Sequence, residues 1–256
     1  MRCVRGVLMA ASAWAVLGGG PAAAQTLDEI IARNLAARGG VEKLRGLDTV
    51  KITGTITINM IGPPGSPPKA ITVPMTTWAK RPNRMRRDQQ FPDRTVSVGF
   101  DGTTVWVLDS AIGTTQKMTG PNADATRDDA NFDPLFLAYE ERGHEIELVG
   151  QEKLDGVDVH HLRVAKKNGQ VDHHYLRADT GLEFRTVTAV QQGGTEVELR
   201  TDLTDYRIVD GMQVAFGMQQ FRNSQPVLRV ELTDVAFDVP IDEEVFRMPA
   251  GGVGRR

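Results

Sequence analysis

The chain has 256 residues, 40% hydrophobic and 6% aromatic, with a formal net charge of −3. That mild acidity argues against a nucleic-acid partner, which calls for clustered positive charge. Cys3 is the single cysteine, so the rest of the chain offers no thiol nucleophile, no thiolate metal ligand and no disulfide.

The first 24 residues read as a cleaved secretory signal peptide. "MRCVR" is basic, "GVLMAASAWAVLGGG" is apolar, and Ala22 and Ala24 precede Gln25. The apolar core is broken by glycine and shorter than the ~20 residues a membrane anchor needs. Cys3 lies before the apolar run and not at the cleavage point, so the mature N-terminus is not lipidated. Loss of Arg2 and Arg5 moves the formal charge from −3 to −5 and leaves 232 residues. That length suits one large β domain, placed at 25–249, with a flexible tail over 250–256. A soluble, secreted, periplasmic protein is expected.

Thr26-Leu27-Asp28-Glu29 predicts a capping box. Leu27, Ile30, Ile31, Asn34 and Leu35 follow at helical spacing until Gly39-Gly40. "VEKLRGL" adds a short second turn. From Val50 the period changes to two: Val50, Ile52, Ile56, Ile58 and Met60 are apolar, and threonine and lysine alternate with them. "GPPGSPPK" is a stiff loop. Strand-like runs follow at 70–80, 84–91, 95–100, 104–109 and 113–119. "GPNADATRDDANFDPLFLAYEERG" interrupts them and predicts a loop with one or two short helices. Strands resume at 145–153, 157–167, 170–178, 182–191, 195–206, 213–221 and 227–237. A short helical turn in "VPIDEEVFRMP" closes the chain. Many short strands at regular spacing favour a barrel or sandwich over a parallel sheet.

Strong local signatures are missing: no G-x-S-x-G, H-E-x-x-H, P-loop or G-x-G-x-x-G opening a helix. Asn122, Asp124, Thr126, Asp128 and Asp133 match part of a calcium-loop pattern. Arg127 stands where that loop needs glycine and Asp133 where it needs a bidentate glutamate, which favours a solvated acidic loop. Lys80, Arg81, Arg84, Arg86 and Arg87 form a basic run, read either as an anionic-headgroup contact or as the polar ends of two strands.

Four of the five histidines form two adjacent pairs, His160-His161 and His173-His174, around Asn168-Gly169. A two-residue turn there would put His160, Leu162, Val164, His173 and Tyr175 on one face. His161, Arg163, Ala165, His174 and Leu176 would share the other. His161 and His174 would then be diagonal neighbours, with Arg163 opposite His174 repelling a cation. No metal site and no cofactor are expected.

Soft apolar residues recur in the first half. Met60, Met75, Met85, Met118, Trp78, Trp106, Phe91 and Phe100 lie on predicted strands, and such residues suit a surface that takes varied apolar shapes. With Ile56, Ile58, Leu135, Phe136 and Tyr139 they are the candidate lining of an apolar cavity.

The order of several segments is similar to a known family. "ARGGVEKLRGLDTVKITGT", "WAKRPNRMR", "FDGTTVWVL", "ELVGQEKLDGVDVHHLRV", "YLRADTGLEFR", "DYRIVDGMQVAF" and "VELTDVAFDVPIDEEVFRMP" together resemble the outer-membrane lipoprotein-sorting superfamily, the LolA/LolB-like periplasmic proteins. The likeness covers nearly all of the mature chain. It implies a mainly β fold with a few helices: a half-open, highly curved antiparallel barrel of about 11–12 strands with a helical lid. It implies a cavity for acyl chains and no catalysis, with a lipid or acylated lipoprotein as partner, a membrane-associated donor or acceptor, and a monomer. The family's carriers tie the lid with a cavity arginine, and Arg84 and Arg86 lie in the matching strand region as headgroup or lid contacts. A partner-binding sensor module and a metal-dependent hydrolase on the paired histidines are the competing readings.

Overall fold

The structure is a computed structural model that describes residues 25–60, 69–192 and 194–250. The signal-peptide reading, most of the proline-rich loop and the tail beyond 250 fall outside those residues.

The chain opens with helices α1 (Leu27–Ala37) and α2 (Val41–Gly46). The capping box forms as the sequence requires: the Thr26 side chain accepts from the Glu29 amide, and the Glu29 carboxylate accepts from the Thr26 amide. Six strands follow: β1 (Thr49–Met60), β2 (Lys69–Lys80), β3 (Arg84–Gln90), β4 (Thr95–Phe100), β5 (Val105–Asp109) and β6 (Thr114–Lys117). Helices α3 (Pro121–Asp129) and α4 (Leu135–Ala138) interrupt them. Seven more strands complete the chain: β7 (Glu145–Leu154), β8 (Val157–Ala165), β9 (Val171–Arg177), β10 (Glu183–Gln192), β11 (Thr195–Val209), β12 (Met212–Arg222) and β13 (Gln225–Phe237). A 3-10 turn, Glu243–Val245, ends the described chain.

All thirteen strands form one antiparallel sheet, in the order β6-β5-β4-β3-β2-β1-β13-β12-β11-β10-β9-β8-β7. It is two meanders joined along β1 and β13, the one pair of neighbours not consecutive in sequence. The sheet is open and curled. Its two edges, β6 and β7, flank the α3–α4 insertion, so the helical segment connects the two open margins. Register shifts at Thr53/Gly54, Leu148/Gly150, Glu183/Arg185 and Gln220/Phe221 supply the local bends that such curling needs.

The helices sit on one face, here the inner face. Ile30, Ile31 and Leu35 of α1, Leu44 of α2 and Phe136 of α4 pack on Leu162 of β8, Leu176 of β9 and Met212 of β12. Ala123 and Ala130 bring α3 down onto Met85, Phe100 and Val105. A third cluster, Ile56, Val73, Met75 and Val230, lies between β1, β2 and β13 and contains no helix residue. No helix among the described residues is long and apolar enough to cross a membrane.

Candidate ligand cavity

Between α2, the α3–α4 connection and the inner face lies a cavity of about 270 Å³. Its sheet wall follows from cross-strand registry. Ile52 pairs with Thr77 and Val50 with Ala79, while Thr77 pairs with Arg87 and Ala79 with Met85. These six residues therefore face the same way and all line the cavity. Phe237, Met212 and Val214 extend the wall, and Leu44 and Leu47 roof it from α2 and its end.

Two arginines tie the roof to the sheet. Arg81 at the β2–β3 turn reaches both carboxylate oxygens of Asp133 at 2.7 and 2.6 Å. The same guanidinium donates to the carbonyls of Leu47 and Leu44 at 2.9 and 3.1 Å and lies 5.0 Å from the Phe132 ring centre. Arg87, inside the cavity, donates to Thr77 Oγ1 at 3.4 Å and stands 3.8 Å from Asp129 at the end of α3. Burial holds the Asp129 carboxyl above the usual carboxylate range; Arg87 opposes this and Asp128 adds to it. The Asp129 side chain is still in contact with open cavity space.

The sequence-predicted lining residues are spread over several places. Met85 is in the cavity wall. Phe100 and Met118 lie beneath α3, and Leu135, Phe136 and Tyr139 pack α4 onto the sheet. Ile56, Ile58, Met75 and Phe91 belong to the helix-free cluster farther along the inner face, and Met60 is half exposed at the end of β1. Trp78, Trp106, Arg84 and Arg86 face the other way. Trp78 pairs with Arg86, Arg86 with Gly99 and Gly99 with Trp106 across β2–β5, one residue out of phase with the cavity wall.

The C-terminal segment covers that outer row. Trp106 Nε1 donates to the Phe246 carbonyl at 2.9 Å, Phe246 is buried, and Glu243 pairs with Arg84 and, at 2.8 Å, with Lys80. Arg86 is held by Asp88 at 2.8 Å. Thus the expected lid contact does not come from Arg84 or Arg86. The arginines that line the cavity are Arg38 and Arg87, and the phase Arg87 shares with Met85 was the available signal for the latter. Val50, Ile52, Ala79, Val214 and Phe237 were also missed, although Val50 and Ile52 share the apolar period of Ile56.

The histidine hairpin has a different register from the expected one. Ala165 pairs with Val171 and Leu162 with His174, so a three-residue turn, Lys167-Asn168-Gly169, joins β8 to β9. Gly169 adopts φ 87°, the left-handed residue such a turn ends on. His160 and His174 consequently face inward, and His161 and His173 share the outer face. His161 Nε2 and His173 Nδ1 are 2.7 Å apart, and His161 Nδ1 is 3.0 Å from Glu152. Inside, His174 Nδ1 meets Glu183 at 3.1 Å under the edge of the Phe136 ring. Burial pushes Glu183 up, but the hydrogen bond with His174 and the charges of His174 and Arg38 hold it below the usual range.

The calcium-like stretch is mostly helix α3; Asp124 pairs with Arg127 at 2.6 Å and Asp128 with Lys166 at 3.5 Å. No group of three or more candidate ligands converges among the described residues.

No protein-family model and no curated protein matches the sequence. Solved structures do match in fold. A DUF1329 family protein from Desulfovibrio piger aligns with TM-score 0.62 at 17% identity, over 84% of this chain and 95% of that one. A domain assigned to outer-membrane lipoprotein sorting, from Vibrio parahaemolyticus, aligns with TM-score 0.58 at 14% identity, over 85% and 94%. A LolA superfamily protein from Nitrosomonas europaea aligns with TM-score 0.60 at 13% identity, over 88% and 98%. The open curled sheet with its helices on one face is the LolA-like fold.

Proposed function

We propose that the protein is a periplasmic lipid- or lipoprotein-acyl-binding carrier that holds an apolar chain between its helices and the inner face of its sheet. It belongs, on this reading, to outer-membrane lipoprotein or lipid trafficking. The observation that carries it is the apolar cavity under a helical segment attached by a few ion pairs. Its volume of about 270 Å³ is near the lower end of small-molecule pockets, roughly 300 Å³, which suits one chain better than several.

Each buried methylene is worth about 0.8 kcal/mol, so ten of them give roughly 8 kcal/mol, a micromolar affinity without any specific polar contact. A carrier must also release its load. Lifting α3 breaks the long Arg87–Asp129 pair and separates Ala123 and Ala130 from Met85 and Phe100, a modest apolar area. Arg87 serves as the cavity arginine that answers the helical segment, and a membrane-associated donor or acceptor protein supplies the occasion for opening.

Native mass spectrometry of the gently purified chain, before and after exposure to lipid vesicles, tests the reading. Bound lipid is expected, and Ile52→Trp, which fills the cavity, should abolish it. A chain that stays empty and takes up no lipid from vesicles sinks the proposal.

A further inference from the structure

The C-terminal segment meets the outer face in three parts. Its start is pinned to the head of β1: the Asp48 amide donates to Asp238 Oδ1 at 2.8 Å, the Asp238 amide to the Thr49 carbonyl at 2.9 Å, and Thr49 Oγ1 to the Val239 carbonyl at 2.7 Å. Pro240, Ile241 and Asp242 then arch away, with a space of about 650 Å³ between them and the ends of β1 and β2. At Glu243 the chain comes down again, and Phe246 is the one buried residue of 239–250.

The seat of that last part is built across β2–β5. Trp106 is fully buried, and Gly99 leaves the room that its ring occupies. The Arg86 guanidinium lies 5.9 Å from the Trp78 ring centre and 5.8 Å from that of Trp106. Trp106 Nε1 and Arg86 donate to the main-chain carbonyls of Phe246 and Val245, at 2.9 and 3.4 Å. Asp88 balances the charge of Arg86, while Lys80 and Arg84 stand on the rim and pair with Glu243. Main-chain carbonyls belong to every peptide. The seat therefore makes two demands on sequence: an acid for the basic rim and, three residues on, a ring for the aromatic pocket. A buried aromatic anchor inside a polar rim is the anatomy of a recognition site.

We propose that this outer groove is a peptide-recognition site. The chain's own C-terminal segment fills it in cis, and an extended segment of a partner protein with the same chemistry, an acid followed three positions later by a phenyl ring, fills it in trans. The arch over residues 240–242 is what makes exchange feasible, because Glu243–Phe246 can leave while Asp238 and Val239 stay pinned to β1. The tethered copy competes at a roughly millimolar effective concentration, so the partner segment binds more weakly while the cis segment is seated. The groove lies on the opposite side of the sheet from the apolar cavity, and the inference does not depend on what that cavity holds.

The probe is a fluorescein-labelled peptide, VPIDEEVFRMPA, identical to residues 239–250. Fluorescence anisotropy should show it binding the full-length Phe246→Ala chain, whose pocket has lost its cis ring, about ten-fold tighter than the natural chain. The same peptide carrying Phe246→Ala should lose at least ten-fold in affinity for that variant, and one carrying Glu243→Lys several-fold. A folded Phe246→Ala chain that ignores the peptide, or binds it without regard to its ring, overturns the proposal. Hydrogen exchange on the natural chain decides the matter if that variant does not fold. Excess peptide should speed exchange of the Phe246 and Arg247 amides, which bond within the C-terminal turn, and leave β2 and β3 unchanged. No change at those two amides, or the same change throughout the sheet, also overturns it.

Discussion

Arg86 and Arg87 are neighbours in sequence and lie on opposite sides of the sheet. The pleat alone separates them: Arg86 joins Trp78, Trp106 and the C-terminal segment, and Arg87 joins the cavity. Gly99 shows how tight the outer row is. A Cβ there would sit 2.2 Å from the Trp106 ring, closer than atoms can approach. Gly99→Ala should therefore destabilise the protein by about 1–3 kcal/mol, read from urea unfolding, as overpacking does. A loss below the precision of the measurement would show that Trp106 can move aside without cost.

His160 supplies a pH dependence at the same scale. It is buried, its Nε2 is unpartnered, and burial followed by the charge of Arg33 lowers its proton affinity. A histidine whose folded pKa is depressed is held neutral by the fold. Its contribution is fully present above the unfolded value of about 6.5 and is lost as pH falls from there through the folded pKa. His144 and His161 are shifted in the same direction, with burial the largest cause. The melting temperature should thus fall between pH 7 and pH 5, and His160→Leu should flatten part of that fall. An unchanged slope in the variant would assign the pH dependence to the other two.

At the scale of elements, the α3–α4 segment is the part that covers the cavity. Its α3 half carries little apolar surface, only Ala123 and Ala130, while Leu135, Phe136 and Tyr139 anchor α4, so Arg81 and Arg87 chiefly set how firmly α3 and its link are held. Arg81→Gln removes the contacts to Asp133, Leu44 and Leu47 together and leaves Asp133 without its guanidinium. The expected cost is about 3 kcal/mol, because truncating one partner of a half-buried pair strands the other. Arg87→Leu removes only a longer pair, worth up to about 1 kcal/mol. Hydrogen exchange in α3 should therefore speed up strongly in the first variant and only a few-fold in the second. Equal effects would mean that the segment is held chiefly by Ala123 and Ala130. The opposite end of the core is firmer: Leu162→Ala should cost about 2–5 kcal/mol, since Leu162 is fully buried beneath α1 and α4.

For the whole molecule, closure depends on one pairing. β1 and β13 are separated by most of the chain, yet Ile56 faces Val230 and Ile52 faces Val235. Without β13 the two meanders share only the α3–α4 bridge and the N-terminal helices, which pack on β8, β9 and β12. A chain ending at Asn223 should lose cooperative unfolding, as seen by circular dichroism in urea, because each half would expose its apolar inner face. A single sharp transition in that truncated chain would contradict this account.

The sequence by itself determined most elements and most faces. The capping box, the change of period at Val50, the position of the helical insertion and the segment order resembling the lipoprotein-sorting superfamily all follow from local chemistry. Local chemistry acts through the pleat and the helix turn, both written into neighbouring residues. Tertiary structure decided three further matters. It chose which face of each strand is inner, and so sent Trp78 and Trp106 outward under Phe246, a residue 140 positions from Trp106. A three-residue turn in place of the two-residue one moved His173 outward and His174 inward. Tertiary structure also paired β1 with β13 and laid α3 on the inner face. These outcomes depend on residues distant in sequence meeting in space, and a period of two cannot say which of its phases will be covered.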